Sequence, residues 1–280
     1  MTISETKMRI MISVDIEGVA GVNETIQGRR GNPEYEVARR LMTQEANAAI
    51  AGAFEGGATD VIVADSHGPM RNIIAEDLDE RARLVSGKPR PLSMIQGIDE
   101  NHDGVVLIGY HAAASNSGVL AHTVSGLAFD SININGVRAG EPTLFGGYAA
   151  EIGVPLLAVS GDDCLAREIS EQFPSAHRIV VKEALGAHAA NSMSPAKSRE
   201  LIRVEVAKAV KNAKSAKVEA PCTGPLDIAV RFHKSLYADA AALLPMMKRP
   251  DAHTVSFHVD GHADAISTIS ALSLMIAGMQ

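Results

Sequence analysis

The sequence RIMISVDIEG at residues 9–18 decides the fold, because a short apolar strand runs directly into two acidic side chains. Residues 9–14 form the predicted strand. Asp15 and Glu17 follow it two positions apart, so both carboxylates point the same way in an extended chain. Gly18 then allows the backbone to turn away close to them. The stretch therefore predicts a buried strand that delivers two carboxylates to its carboxyl end.

Two further apolar strands end in polar side chains. Residues 60–64 lead into Asp65 and His67, and residues 105–109 lead into His111. Ligands of open α/β sheets bind in the crevice beyond the carboxyl ends of the strands. Carboxylates and imidazoles suit Zn²⁺, Mn²⁺ or Co²⁺, and a set without cysteine favours a catalytic site over a structural one. A single strand-end aspartate is usually a cap or turn residue, so the spacing alone predicts a metal site and no particular reaction.

Strands and helices alternate along the whole chain. We predict helices at 33–56, 141–152, 162–172, 195–213, 235–243 and 263–277, and further strands at 154–159, 178–182, 226–232 and 253–258. Asn135-Gly136 lies between two extended stretches and predicts a hairpin. The alternation predicts an α/β fold with a mainly parallel sheet covered by helices on both faces.

A proline- and glycine-containing segment near 215–225 indicates a join between two units. We expect a metal-binding α/β domain at 1–190 and a smaller C-terminal α/β domain at 191–280, with the boundary within 185–225.

Composition argues against several classes of protein. The net charge is −7 and the pI is about 5.8, so a nucleic-acid binder is not expected. No stretch reaches the ~18 apolar residues of a membrane-spanning helix, and the first residues do not resemble a signal peptide. Two cysteines without CxxC spacing predict unpaired thiols. We therefore expect a cytoplasmic protein without nucleic-acid or membrane partners.

At these motifs the chain resembles the M55 family of zinc-dependent D-aminopeptidases. The Ser-x-Asp-x-Glu-Gly start is followed, in order, by Asp-Ser-His and Gly-Tyr-His. The likeness is dense to about residue 200 and thinner beyond. The matching segments are 13–18, 42–47, 65–67, 84–87, 93–94, 109–112, 140–141, 161–163 and 194–197.

The resemblance implies a site with two zinc ions per chain, for which Mn²⁺ or Co²⁺ are alternatives. The implied metal ligands are Asp15, Glu17, His67, His111 and Glu141, with Asp15 bridging the ions. His122 resembles the catalytic histidine of the family. Glu141 and His122 come from the resemblance alone, since nothing in their spacing marks them.

The family also implies a function and an assembly. Its members remove N-terminal residues, often D-amino acids, from short peptides, and they form ring-like homo-oligomers that include decamers. Two positions depart from the typical member: Pro142 stands where it has leucine, and Ala121 where it has serine. We expect these changes to affect the substrate pocket more than the metal ligands.

Two alternatives remain open from the residues themselves. One is another metal-dependent hydrolase of amides or phosphoesters on the same scaffold. The other is a non-catalytic, metal-stabilised binding protein, against which the complete ligand set and His122 argue. Lys182 and Asn135 are polar candidates for substrate contact without a motif, so the substrate-binding residues are not predicted.

Overall fold

The computed structural model describes residues 7–279, which fold into two β-sheets and six α-helices. The strands are β1 Arg9–Val14, β2 Asp60–Asp65, β3 Ala82–Val85, β4 Gly104–Ile108, β5 Phe129–Ile134, β6 Val137–Arg138, β7 Leu156–Asp162, β8 His177–Gly186, β9 Ala189–Ser192, β10 Leu226–Phe232 and β11 Thr254–Val259. The helices are α1 Pro33–Glu55, α2 Glu141–Glu151, α3 Asp163–Gln172, α4 Pro195–Lys211, α5 Ser235–Ala241 and α6 His262–Ala277.

The larger sheet has seven strands in the order β3-β2-β1-β4-β7-β8-β9. All neighbouring pairs are parallel except β8 and β9. The smaller sheet is antiparallel, in the order β11-β10-β5-β6. The α/β fold with a mainly parallel sheet is therefore confirmed, and the second sheet is the antiparallel addition.

Side chains of the central strands alternate between two hydrophobic cores. Ile10 and Ile12 of β1 pack with buried residues of α1 and α4, whereas Met11 packs on the opposite face with residues of α2, α6 and the smaller sheet. This alternation follows from the two-residue period of a strand. Because both faces are covered, β4 is apolar and β1 is apolar apart from Arg9 and Ser13, as parallel strands usually are.

The helices begin where the sequence supplies capping side chains. Asn32 accepts a hydrogen bond from the amide of Tyr35 at the start of α1, and Asp162 accepts one from Leu165 at the start of α3. Ser194 caps α4 in the same manner. Each such cap stabilises its helix by about 1 kcal/mol.

The hairpin predicted at Asn135-Gly136 is confirmed and joins β5 to β6. Both turn residues have positive φ, 49° and 82°, as a type I′ turn requires. The edge strands β3 and β9, of four residues each, were not predicted because they are too short to show a periodicity.

The division into two domains stays a prediction. The smaller sheet combines β5 and β6 with β10 and β11, and α4 packs extensively on α1. Between residues 7 and 279, no helix combines the length and apolar character that crossing a bilayer requires.

Candidate metal centre

Three neighbouring parallel strands bring the predicted ligands to one edge of the larger sheet. β1, β2 and β4 lie side by side, so the residues that follow them meet in one crevice. His67 Nδ1 lies 2.9 Å from Glu17 Oε2 and 3.3 Å from Asp15 Oδ1. His111 Nε2 lies 3.5 Å from Asp15 Oδ2. The two oxygens of Asp15 thus each face a different histidine.

Glu141 joins this cluster from the first turn of α2. Its Oε2 lies 3.4 Å from His111 Nε2, and its Oε1 accepts a hydrogen bond from the amide of Val124 at 2.9 Å. The helix N-terminus favours the negative charge of Glu141. Pro142 follows within the first turn, where its missing N–H would have no helical partner in any case.

The imidazole protons are fixed by backbone carbonyls, which can only accept hydrogen bonds. Gly28 O lies 2.8 Å from His67 Nε2, Ala112 O 3.1 Å from His111 Nδ1, and Leu120 O 2.9 Å from His122 Nδ1. Each ring therefore donates outward and turns its other nitrogen toward the carboxylates. Histidines that bind metals are commonly oriented by such partners.

Three atoms of the cluster are buried without a hydrogen-bond partner among residues 7–279. They are Glu17 Oε2, His111 Nε2 and Glu141 Oε2. Buried polar atoms in proteins nearly always have a partner. An imidazole nitrogen and a carboxylate oxygen 3.4 Å apart, both unsatisfied, have the chemistry of divalent-cation ligands. The residues present therefore fit a bound metal.

His122 completes a second possible set of ligands. Its Nε2 lies 4.0 Å from Glu141 Oε1, and its ring is stacked on that of His111. Potential ligand atoms of His111, His122 and Glu141 lie within 4.8 Å of one another, as do those of Asp15, Glu17 and His111. The two sets share His111.

Burial and mutual charge shift the proton affinities of these groups. Burial raises the pKa of Glu141 to about 8. Burial lowers the pKa of His111, but the carboxylates of Glu141, Asp15 and Glu17 together outweigh burial and raise that pKa to about 10. The pKa of His122 is lowered, first by burial and then by the neighbouring charge of His111. His122 thus favours its neutral form beside a charged His111.

A buried lysine binds the backbone of the loop that carries Glu17. Lys182 is 2% exposed, and its Nζ donates to the carbonyl oxygens of Glu17, Val19 and Val22. Burial lowers the pKa of Lys182 to about 8. Gly18 sits so close to the neighbouring strand end that an added Cβ would lie 1.9 Å from Tyr110 O. This turn therefore has a precise backbone position.

The other polar candidates have structural partners. Asp65 is fully buried and accepts hydrogen bonds from the amides of Asn72 and Ile73, so it shapes the turn after His67. Asn135 bonds the backbone of Thr223 and Asp227 beside the smaller sheet. Lys182 binds backbone carbonyls, as described above. Both substrate-contact candidates are thus assigned to structural roles.

A cavity of about 580 Å³ opens onto the cluster. Glu17, His67 and His122 line it. Its other walls are Thr25, Gly28, Arg29, Gly68, Leu120, Ala121, Gly126, Leu127, Ala187 and His188. The volume falls in the range of small-molecule sites, ~300–1,000 Å³. The sequence did not predict most of these lining residues, because they lie in loops without a recognisable motif.

Comparisons with known proteins identify the family of the chain. A family model described as Peptidase M55, D-aminopeptidase, matches residues 8–271. The D-aminopeptidase of Bacillus subtilis strain 168 is 37% identical over 238 residues, which cover 85% of this chain and 86% of the relative. A solved structure of DppA from Bacillus subtilis superposes with a TM-score of 0.90 at 33% identity, covering 95% of this chain and 97% of that one. That structure is described as a zinc-dependent D-aminopeptidase and a self-compartmentalizing protease.

Proposed function

Because the chain belongs to the M55 family of D-aminopeptidases and is a peptidase, we propose that it is a dinuclear zinc enzyme that removes N-terminal residues, with a preference for D-amino acids, from short peptides. The observation that carries this proposal is the cluster of Asp15, Glu17, His67, His111 and Glu141, in which three buried ligand atoms have no hydrogen-bond partner among residues 7–279.

Five side chains would hold the metal. Asp15 would bridge two ions, because its two oxygens face His67 and His111 separately. Glu17 and His67 would complete one position, and His111 and Glu141 the other. When bound, zinc supplies an activated water and polarises the scissile carbonyl. Mn²⁺ and Co²⁺ suit the same nitrogen and oxygen ligands.

His122 would move the proton during hydrolysis. Its Nδ1 donates to Leu120 O, which leaves Nε2 free to accept a proton from the attacking water and to donate it to the leaving amine. It also lines the cavity that a substrate must enter. The carboxylate of Glu17 lines the same cavity and would attract the free amine of the peptide, which accounts for cleavage from the N-terminus.

We further propose that the chain assembles as a ring-type homo-oligomer, of which a decamer is one form. The description of the Bacillus subtilis relative as self-compartmentalizing supports this. Leu185 and Leu243 are 72% and 82% exposed, and burying such side chains between subunits would be favourable. Light scattering coupled to size-exclusion chromatography tests the assembly: a monomer at micromolar concentration would contradict it.

A substrate panel tests the activity. Purified protein with added zinc is incubated with D-Ala-Gly-Gly, L-Ala-Gly-Gly and N-acetyl-D-Ala-Gly-Gly, and the released amino acid is measured. We expect rapid release of D-alanine, slower release of L-alanine and none from the acetylated peptide. A protein that carries two metal ions yet cleaves none of these, or cleaves a phosphoester instead, would contradict the proposal.

A further inference from the structure

Arg29 stands out among the residues that line the cavity of the metal centre. Among the described residues, it is the only lysine or arginine in that wall. Within residues 7–279, its guanidinium makes no ion pair and no hydrogen bond. The imidazole of His188, by contrast, is already paired with Glu24 at 3.2 Å. Within the described part of the chain, the guanidinium of Arg29 is therefore the one lysine or arginine group in the wall that is free to bind a ligand.

The backbone of Arg29 is fixed relative to the metal centre. Its amide donates to Ile26 O at 3.1 Å, and its carbonyl accepts from the side chain of Asn32. The preceding carbonyl, of Gly28, accepts the hydrogen bond of His67. Asn32 also caps α1, which ties this turn to a long helix. The backbone of Arg29 is thus fixed one residue away from Gly28, whose carbonyl binds the imidazole of the proposed metal ligand His67.

The size of the cavity suits a short peptide. An extended chain spans roughly 3.3–3.6 Å per residue, so a dipeptide or tripeptide measures about 7–11 Å. With its amine near Glu17, such a peptide would carry its C-terminal carboxylate within the same cavity of about 580 Å³. The planar fork of an arginine matches a carboxylate with two parallel hydrogen bonds.

We propose that Arg29 binds the free C-terminal carboxylate of the peptide and thereby restricts the substrates to short peptides with an unblocked C-terminus. The inference rests on the proposed aminopeptidase function and specifies its substrate class. Longer peptides would place the carboxylate beyond the reach of Arg29 and lose this contact. A C-terminal amide would lack the negative charge that the guanidinium binds.

The chain provides a matched control in the adjacent residue. Arg30 is also exposed and carries the same charge, but it does not line the cavity. Arg29→Ala and Arg30→Ala therefore change the net charge equally, and only the first removes a donor from the cavity. Arg29→Lys keeps the charge but removes the bidentate geometry.

The test measures kcat and KM for D-Ala-Gly-Gly and for its C-terminal amide. We expect Arg29→Ala to raise KM for the free acid roughly 10-fold or more, the usual effect of losing a hydrogen bond to a charged group, with kcat nearly unchanged. The amide should show little change. Arg30→Ala should behave as the wild type with both peptides, and Arg29→Lys should lie between wild type and Arg29→Ala.

A binding measurement separates this inference from the proposed function. Calorimetry with the two tripeptides and the zinc-loaded His122→Ala variant should show weaker binding of the amide, and Arg29→Ala should abolish that difference. If the His122→Ala variant bound the acid and the amide equally, the role of Arg29 would be overturned. The same holds if Arg29→Ala weakened the binding of both peptides equally. A wild-type enzyme that cleaves both peptides equally refutes this inference alone, whereas one that cleaves neither refutes the aminopeptidase function.

Discussion

The imidazole rings of His111 and His122 are stacked, with centroids 4.1 Å apart and planes inclined by 13°. His111 directs Nε2 at Asp15 and Glu141, whereas His122 lies at the cavity wall. The stack therefore couples a residue proposed to hold metal to one proposed to act on the substrate. It also raises the question of whether His122 binds metal itself, since its Nε2 approaches Glu141 to 4.0 Å.

Replacing His122 answers that question. We expect His122→Ala to retain two metal ions and to lower kcat by about 10²- to 10⁴-fold, the usual contribution of a general acid or base. Metal content is measured by plasma mass spectrometry and kcat with D-Ala-Gly-Gly. His258→Ala, on the exposed side of the smaller sheet, should leave both quantities unchanged. A loss of metal from His122→Ala would instead make His122 a ligand.

Removing the proposed bridge should release both ions. Asp15→Ala takes away the carboxylate whose oxygens face His67 and His111, so we expect the content to fall from about two equivalents of zinc to near zero. Asp239→Ala, which removes an exposed carboxylate of α5, provides the control. If the Asp15→Ala protein still carries one or two ions after dialysis, Asp15 is not a bridge.

Lys182, which binds the backbone of the loop that carries Glu17, should contribute to both stability and metal binding. Lys182→Met keeps much of the volume but leaves the carbonyls of Glu17, Val19 and Val22 without their donor. An unsatisfied buried group costs about 1–3 kcal/mol. We expect a clear fall in Tm and weaker zinc binding, read by thermal unfolding and by titration with a fluorescent zinc chelator.

The control for Lys182→Met is Lys197→Met. Lys197 is exposed on α4, and its replacement should alter neither quantity. If Lys182→Met lowered Tm but bound zinc with wild-type affinity, Lys182 would support the fold without positioning Glu17.

The contribution of Asp163 to stability should depend on pH. Its carboxylate accepts a hydrogen bond from the amide of Ala184 at 2.8 Å and pairs with Arg167 at 2.7 Å. These contacts hold the pKa of Asp163 below its ordinary value. A carboxyl with a depressed folded-state pKa stabilises the protein above the unfolded pKa, about 3.9, and loses that contribution as pH falls through the folded value.

We therefore expect Asp163→Ala to lower Tm by a few degrees at pH 7 and the difference from wild type to shrink below about pH 4. Thermal unfolding between pH 3 and pH 7 measures this. Asp264→Ala, in the exposed first turn of α6, should show a smaller difference at pH 7. A Tm difference between Asp163→Ala and wild type that stays constant down to pH 3 would show that the charge of Asp163 does not contribute to stability.

The sequence by itself determined the parallel central part of the larger sheet, without its edge strands β3 and β9. Two-residue and helical periods reveal which face of each segment is apolar, and the alternation of strands and helices implies parallel pairing. Strand ends rich in acids and histidines then predict the crevice, because the carboxyl ends of parallel strands share one edge. Asp15, Glu17, His67 and His111 could be predicted in this way. Glu141 and His122 required the family resemblance.

Only the tertiary structure decided how the remaining groups reach that edge. Val124, a β-branched residue with a φ of 61°, points its amide at Glu141, and Leu120 with a φ of 54° offers its carbonyl to His122. Such strained conformations persist only when the surrounding fold imposes them, so no local pattern announces them. The position of Arg29 in the cavity wall likewise depends on contacts with His67 and Asn32. Local periodicity encodes which face of a segment is buried, whereas contacts between distant loops arise only once the whole chain has packed.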